Sequence, residues 1–210
     1  AALAEKHDLV ILSDEIYDQM VFDDAEFIPM ATLVKDSVCL TYSGLSKVYR
    51  ACGYRVGWCV FSGDLDRARD YIHAMELLAA LRLCSNVSGQ WAVQTALGGF
   101  QSIKGLVRPG GRLYQSRAAI IEHVDESDYL SVQTPMGAMY AFVRLDQRFD
   151  GVLDDQAFAL ELLENHHVLI APGSSFNTDY TDHFRVTTLP DTDALDVVFE
   201  RINTCLAQYA

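Results

Sequence analysis

Val38-Cys39-Leu40-Thr41-Tyr42-Ser43-Gly44-Leu45-Ser46-Lys47 is an apolar, β-branched and aromatic run that ends in a small-residue turn carrying a primary amine. Such a run predicts a buried strand followed by a tight turn. Upstream, Leu9-Val10-Ile11-Leu12-Ser13-Asp14-Glu15 is a second apolar run that ends in acids, and downstream Tyr54–Gly63 reads as a third strand. Residues 1–9 read as the end of an amphipathic helix, and 64–83 and 87–97 as two further helices. Short apolar strands alternating with helices predict an α/β sheet, whose ligands collect at the carboxyl ends of its strands.

The texture changes further along. Gly98-Gly99 and Pro109-Gly110-Gly111 punctuate the chain, and residues 112–124 are strongly helical in pattern. The stretches 129–135, 138–145, 166–173 and 183–189 read as short strands, with a helix over 157–166. A closing amphipathic helix covers 193–209, with Thr192-Asp193 as a capping-box-like start. The fold expected is therefore an α/β large domain over residues 1–108 and a small α+β domain over 109–210.

Composition narrows the function classes. A net charge of −13 argues against nucleic acid and anionic membranes, which need a basic surface. No apolar run approaches the ~20 residues that span a bilayer. The 5 cysteines are odd in number and form no C-x-x-C pair, which reads as buried free thiols in a reducing cytoplasm. The opening residues lack the pattern of a signal peptide and start in mid-helix, so a longer parent protein is expected.

Three polar positions follow apolar strands: Asp14, with Tyr17 three residues on; Lys47 in its turn; and Arg55 before the third strand. Singly, each has a plain reading as a turn residue, a solvent charge or a packing residue. Together they meet the needs of a carbonyl cofactor. Only lysine supplies a side-chain primary amine for a Schiff base. A phosphate tail needs hydroxyls and a guanidinium, which Ser43, Ser46 and Arg55 can furnish. A pyridine nitrogen that must stay protonated needs a carboxylate such as Asp14. The phenol of Tyr17 can hydrogen-bond a ring oxygen.

Ser43-Gly44-Leu45-Ser46-Lys47, followed by Gly53-Tyr54-Arg55-Val56-Gly57, resembles the Schiff-base signature of the class I/II (fold-type I) aminotransferases that use pyridoxal 5′-phosphate. Ser13-Asp14-Glu15-Ile16-Tyr17 resembles the upstream motif of the same family. Arg82-Leu83-Cys84-Ser85-Asn86 and Gln94-Thr95-Ala96-Leu97-Gly98 are similar to its bacterial alanine (glutamate–pyruvate) branch. The resemblance implies the C-terminal part of the cofactor-binding large domain plus the small C-terminal domain. It makes Lys47 the Schiff-base lysine and proton carrier, Asp14 the pyridinium partner and Tyr17 the partner of the ring oxygen. Arg55, Ser46 and Ser43 would hold the phosphate, and Arg185 the substrate α-carboxylate. Gly44 stands where many members have serine, which shifts phosphate contacts toward Ser43 or backbone amides.

The resemblance also implies transfer of an amino group between an L-amino acid, alanine or glutamate, and a 2-oxo acid, pyruvate or 2-oxoglutarate, in a homodimer. The family's N-P-T-G segment and ring-stacking aromatic would precede Ala1, so this stretch alone is expected to be inactive. Two other readings share these motifs: a C–S β-lyase on the same scaffold, and the aminotransferase-like sensor half of a transcription regulator. His166-His167 reads as two strand residues facing opposite ways, with no metal role, and His183 as a structural residue. Asp23-Asp24 and Asp154-Asp155 read as solvated turns and helix starts.

Overall fold

A computed structural model describes residues 1–210. The chain divides into two compact units: Ala1–Val21 with Glu26–Lys104, and Phe22–Ala25 with Gly105–Ala210. Residues 22–25 pack with the second unit for a physical reason. The Phe22 N–H donates to the Met136 carbonyl, and the Asp23 carboxylate lies 2.7 Å from the guanidinium of Arg117, a residue only 4% exposed. Asp23 is thus half of an ion pair with a buried arginine and not a free solvated turn.

In the first unit a short helix α1 (Ala2–His7) leads into β1 (Ile11–Asp14), then β2 (Val38–Gly44) and β3 (Gly57–Gly63). β1 pairs with β2 in parallel and β3 with β2 antiparallel, so β2 is central. Its first three residues are buried in succession, as expected of a strand covered on both faces. Val38 and Leu40 meet Ala68, with Phe61, Ile72 and Met75 packed around them. β3 starts at Gly57, three residues later than the pattern predicts, because Cys52–Tyr54 form a 3-10 turn closed by Arg55 in the left-handed region (φ 51). Helices α2 (Arg69–Arg82) and α3 (Val87–Gly98) follow, and α4 (Ile103–Leu106) contains the division between the units. The Asn86 side chain caps α3 by accepting from the Gly89 N–H.

The second unit runs α5 (Arg112–Asp125), β4 (Leu130–Val132), β5 (Tyr140–Leu145), α6 (Asp155–His166), β6 (Ala171–Pro172), β7 (His183–Thr187) and α7 (Thr192–Leu206). Its sheet is antiparallel, in the order β4-β5-β7-β6. The period of two decides which face is covered. Ala141, Val143 and Leu145 of β5, with Phe184 and Val186 of β7, are buried against Ile120, Phe158, Leu162, Leu195, Phe199 and Ile202 of the helices. Tyr140, Phe142, Arg144, His183, Arg185 and Thr187 therefore occupy the opposite face. In α7, Leu195, Phe199, Ile202 and Leu206 recur at helical spacing and form the buried stripe.

Several local expectations are corrected. The predicted strand 166–173 pairs only at Ala171–Pro172; His166 is the last residue of α6 and His167 its left-handed cap (φ 55). The cap of α7 is Asp191, whose carboxylate accepts from the Ala194 N–H, one residue before the predicted start. Asp154 does cap α6, but Asp155 is 2% exposed and accepts the Ser174 N–H at 2.6 Å. Of the cysteines, Cys39 and Cys205 are buried and Cys59 half-buried, whereas Cys52 and Cys84 are exposed. No helix is long and apolar enough to cross a membrane.

Candidate active site

Local pairing brings the first unit's polar residues to the carboxyl ends of two parallel strands. The register sets Asp14, the last residue of β1, beside Tyr42 of β2, and the Glu15 N–H continues the ladder to the Tyr42 carbonyl. Two residues beyond Tyr42 the chain reaches Gly44, which lies opposite Gly57 of β3. A Cβ on Gly44 would stand 2.8 Å from the Val56 carbonyl oxygen and 3.1 Å from the Gly57 Cα. The close approach requires glycine here, which is the structural reason that serine is absent from this position. The turn then closes through Leu45 N–H to Val56 O, Ala51 N–H to Leu45 O and Arg50 N–H to Lys47 O. Leu45 and Val48 are buried and anchor it, so Lys47 sits on a fixed backbone.

The side chains have chemistry to offer. The Lys47 ammonium forms no ion pair and lies 6.0 Å from the centroid of the Tyr17 ring, three residues past Asp14. Asp14 is exposed, and one carboxylate oxygen accepts from the Ile16 N–H at 3.2 Å. Ser43, Ser46, Lys47 and Tyr17 are half-buried. Arg55 is exposed and donates to the carbonyl of Cys52, three residues earlier, at 2.7 Å. An amine, a carboxylate, a phenol, two hydroxyls and a guanidinium form a donor set that fits an aldehyde-bearing pyridine with a phosphate tail. Nearby, burial raises the Asp18 carboxyl above its ordinary range, with the charge of Glu15 adding to it against a hydrogen bond from the Gln19 N–H.

Glu15, which no motif singled out as structural, is 9% exposed and accepts from both the Ser13 hydroxyl and the Met30 N–H. It ties the loop after Asp14 to residue 30 and so orients Asp14 and Tyr17.

Arg185, in the second unit, lies at the centre of the uncovered sheet face. Its guanidinium is 4.3 Å from the Tyr140 ring centroid and 4.5 Å from that of Phe176, and it pairs with no carboxylate of the chain. Contact with both rings positions the guanidinium, and no carboxylate of the chain competes for its N–H groups. Sequence reasoning missed Tyr140 and Phe176. The alternation of Tyr140, Phe142 and Arg144 along β5 was a usable signal for the first. Phe176 enters from a 3-10 turn and left none. His183 is taken up structurally: its Nδ1 meets Asp182 at 2.6 Å and its ring stacks on Phe142 at 4.8 Å. Burial alone would raise the Asp182 carboxyl, but hydrogen bonds from Arg144 and His183 outweigh it and hold it below its ordinary value.

Cavities alone would not have found this arrangement. One of about 480 Å³ in the first unit is lined by Tyr49, Arg50, Tyr54 and Phe100, and by none of the six candidate cofactor residues. Another of about 610 Å³ in the second unit includes Arg185 and Tyr140.

Comparison with known proteins bears on the family. The chain is 42% identical over 207 residues to glutamate-pyruvate aminotransferase AlaA of Escherichia coli K12, covering 99% of this chain and 51% of that protein. It is 44% identical to the alanine aminotransferase of Mycobacterium bovis, again with 99% of this chain and 48% of the relative. Among solved structures, an aminotransferase from Escherichia coli superposes with a TM-score of 0.95 at 41% identity, covering 99% of this chain and 52% of that one. The alanine aminotransferase of Pyrococcus furiosus gives 0.89 at 30% identity, covering 99% and 51%. The chain thus spans about half the length of the relatives it matches. The model of the family described as aminotransferase class I and II matches residues 1–202. Matched over nearly its whole length, the chain belongs to the class I and II aminotransferases.

Proposed function

We propose that this chain carries the lysine-bearing part of a pyridoxal-phosphate-dependent aminotransferase that moves an amino group between alanine or glutamate and pyruvate or 2-oxoglutarate. The observation that carries it is the Lys47 amine, without an acid partner, over the Tyr17 ring and in the turn after the strand that pairs with Asp14. The names of the relatives support the substrate pair.

The cofactor's chemistry is to hold the amino group and spread the charge that builds at the amino-acid α-carbon. Lys47 would hold the cofactor through its aldehyde carbon at rest, and its Nζ, once free, would accept and return the proton that leaves the substrate α-carbon. The Asp14 carboxylate would keep the pyridine nitrogen protonated, and the Tyr17 hydroxyl would donate to the ring oxygen. Ser43, Ser46 and Arg55 would hold the phosphate, Arg55 exchanging its present contact with the Cys52 carbonyl. Arg185 takes the substrate α-carboxylate with its fork. Two free, exposed thiols and the acidic charge support a cytoplasmic protein. The exposed Leu78, Leu81 and Trp91 support burial against further protein, including a homodimer partner.

The test uses the full-length protein. After incubation with pyridoxal phosphate and borohydride reduction, peptide mass spectrometry should place the pyridoxyl group on Lys47. Alanine and 2-oxoglutarate should yield pyruvate and glutamate, and Lys47→Ala should abolish both results. A pyridoxyl group on another lysine, or turnover surviving in Lys47→Ala, overturns the reading.

A further inference from the structure

The second unit holds a cluster of three unlike metal-ligating side chains that the proposed reaction does not use. Glu161 and His166 lie on the last turns of α6, and Cys205 lies near the end of α7, which packs against it. One ligand atom from each, a carboxylate oxygen, an imidazole nitrogen and the thiol sulfur, falls within 4.8 Å of the other two. Cys205 is 0% exposed, whereas Glu161 and His166 are half-buried and give the cluster an opening to solvent. None of the three side chains has a hydrogen-bond partner in the chain. The His166 carbonyl accepts from Arg201 of α7 at 3.1 Å, which holds the end of α6 against that helix.

We propose that Glu161, His166 and Cys205 form a binding site for a zinc-class divalent cation that clasps the C-terminal end of α6 to that of α7.

The donor set selects the ion. One sulfur, one nitrogen and one oxygen suit a borderline metal such as zinc or cobalt, while magnesium and calcium require oxygen ligands throughout. Zinc bonds of about 2.3 Å to sulfur and about 2.0–2.2 Å to nitrogen and oxygen set tetrahedral ligand atoms roughly 3.5 Å apart. Closing from within 4.8 Å needs only side-chain rotation by about 1 Å at the two half-buried residues. Three protein ligands leave a fourth position for water. The strand reading of His166-His167 set this histidine aside because neighbouring strand residues face opposite ways; in the structure His166 instead ends α6, on the same helix as Glu161.

The experiment is a cobalt titration of the full-length, chelator-stripped protein under reducing conditions, in a Cys52→Ser, Cys84→Ser background that removes the exposed thiols. Difference spectra should show one equivalent of cobalt with a thiolate charge-transfer band and tetrahedral d–d bands. Zinc should displace it and magnesium should not. Cys205→Ala should remove the charge-transfer band. His166→Gln and Glu161→Gln, at half-buried positions and with folding checked by circular dichroism, should each weaken binding by at least about tenfold, the lower end of what even outer-shell changes cost. The unfolding midpoint of the parent should rise with zinc, and that of the variants should not. Absence of stoichiometric binding, a spectrum without the thiolate band, or affinity unchanged in His166→Gln and Glu161→Gln overturns the proposal. Lys47-dependent turnover is a separate readout, so the failure of either idea leaves the other standing.

Discussion

Replacing Arg185 by alanine in the full-length protein should damage amino-acid binding while leaving the cofactor in place. The guanidinium is held between the Tyr140 and Phe176 rings, with no acid of the chain competing for it. A carboxylate gripped by its fork makes two hydrogen bonds to a charged group, each contributing about 1.5–3 kcal/mol. Together that is about 3–6 kcal/mol, or roughly a 10²–10⁴-fold loss in kcat/KM. Arg185 is half-buried, so water screens part of the interaction, and the lower half of that range is expected. Arg185→Lys keeps the charge but loses the planar fork and much of the stacking. Its loss should fall between, at about 10–100-fold. The assay is steady-state transamination with the amino acid varied at saturating 2-oxo acid, alongside a cofactor titration of each variant. A rise in KM with unaltered cofactor affinity is the expected pattern. Unchanged KM in Arg185→Ala, or loss of cofactor affinity in its place, would refute the assignment.

Asp23→Ala strands the buried Arg117, leaving it the Pro135 carbonyl as its remaining oxygen partner, and should cost about 3 kcal/mol in urea unfolding. Adding Arg117→Met to that variant should recover most of the loss; no recovery would mean that the pair is not the cause. Gly44→Ala drives a Cβ against the Val56 carbonyl and should destabilise by about 1–3 kcal/mol while loosening the Lys47 turn, read as weaker cofactor binding. In the metal-free protein Cys205 sets an alkaline limit. Its folded value of about 11 exceeds the ordinary 9.0, so the native state holds its proton longer. Its contribution is complete below pH 9 and is lost as pH rises toward 11, by about 2–3 kcal/mol in all. Denaturant midpoints between those pH values should fall less in Cys205→Val, and equal slopes would contradict the argument.

How much was legible depended on range. Strand–turn–strand order around Lys47 was readable because β propensity, glycine and alternation act over a few residues. The start of β3 was misplaced because a 3-10 turn over Cys52–Tyr54 precedes it, and a pattern of apolar residues does not register such a turn. Residues 166–173 were mistaken for a strand because their apolar run is real. Val168 and Ile170 are buried, yet pairing is limited to two residues. Asp23 and Asp155 were misjudged alike. Each takes its character from a side chain or backbone group 19 or more residues away.

The chain's own order of residues determined the α/β character, the place of the amine and carboxylate at strand ends, and the family, because those signals are local and carried by residue type. Only tertiary structure decided that Gly44 must face Gly57, that Arg185 stands between two rings on the uncovered sheet face, and that Glu161, His166 and Cys205 converge. These depend on register and helix packing, where the sum of many weak contacts, and no single short motif, selects which distant side chains meet.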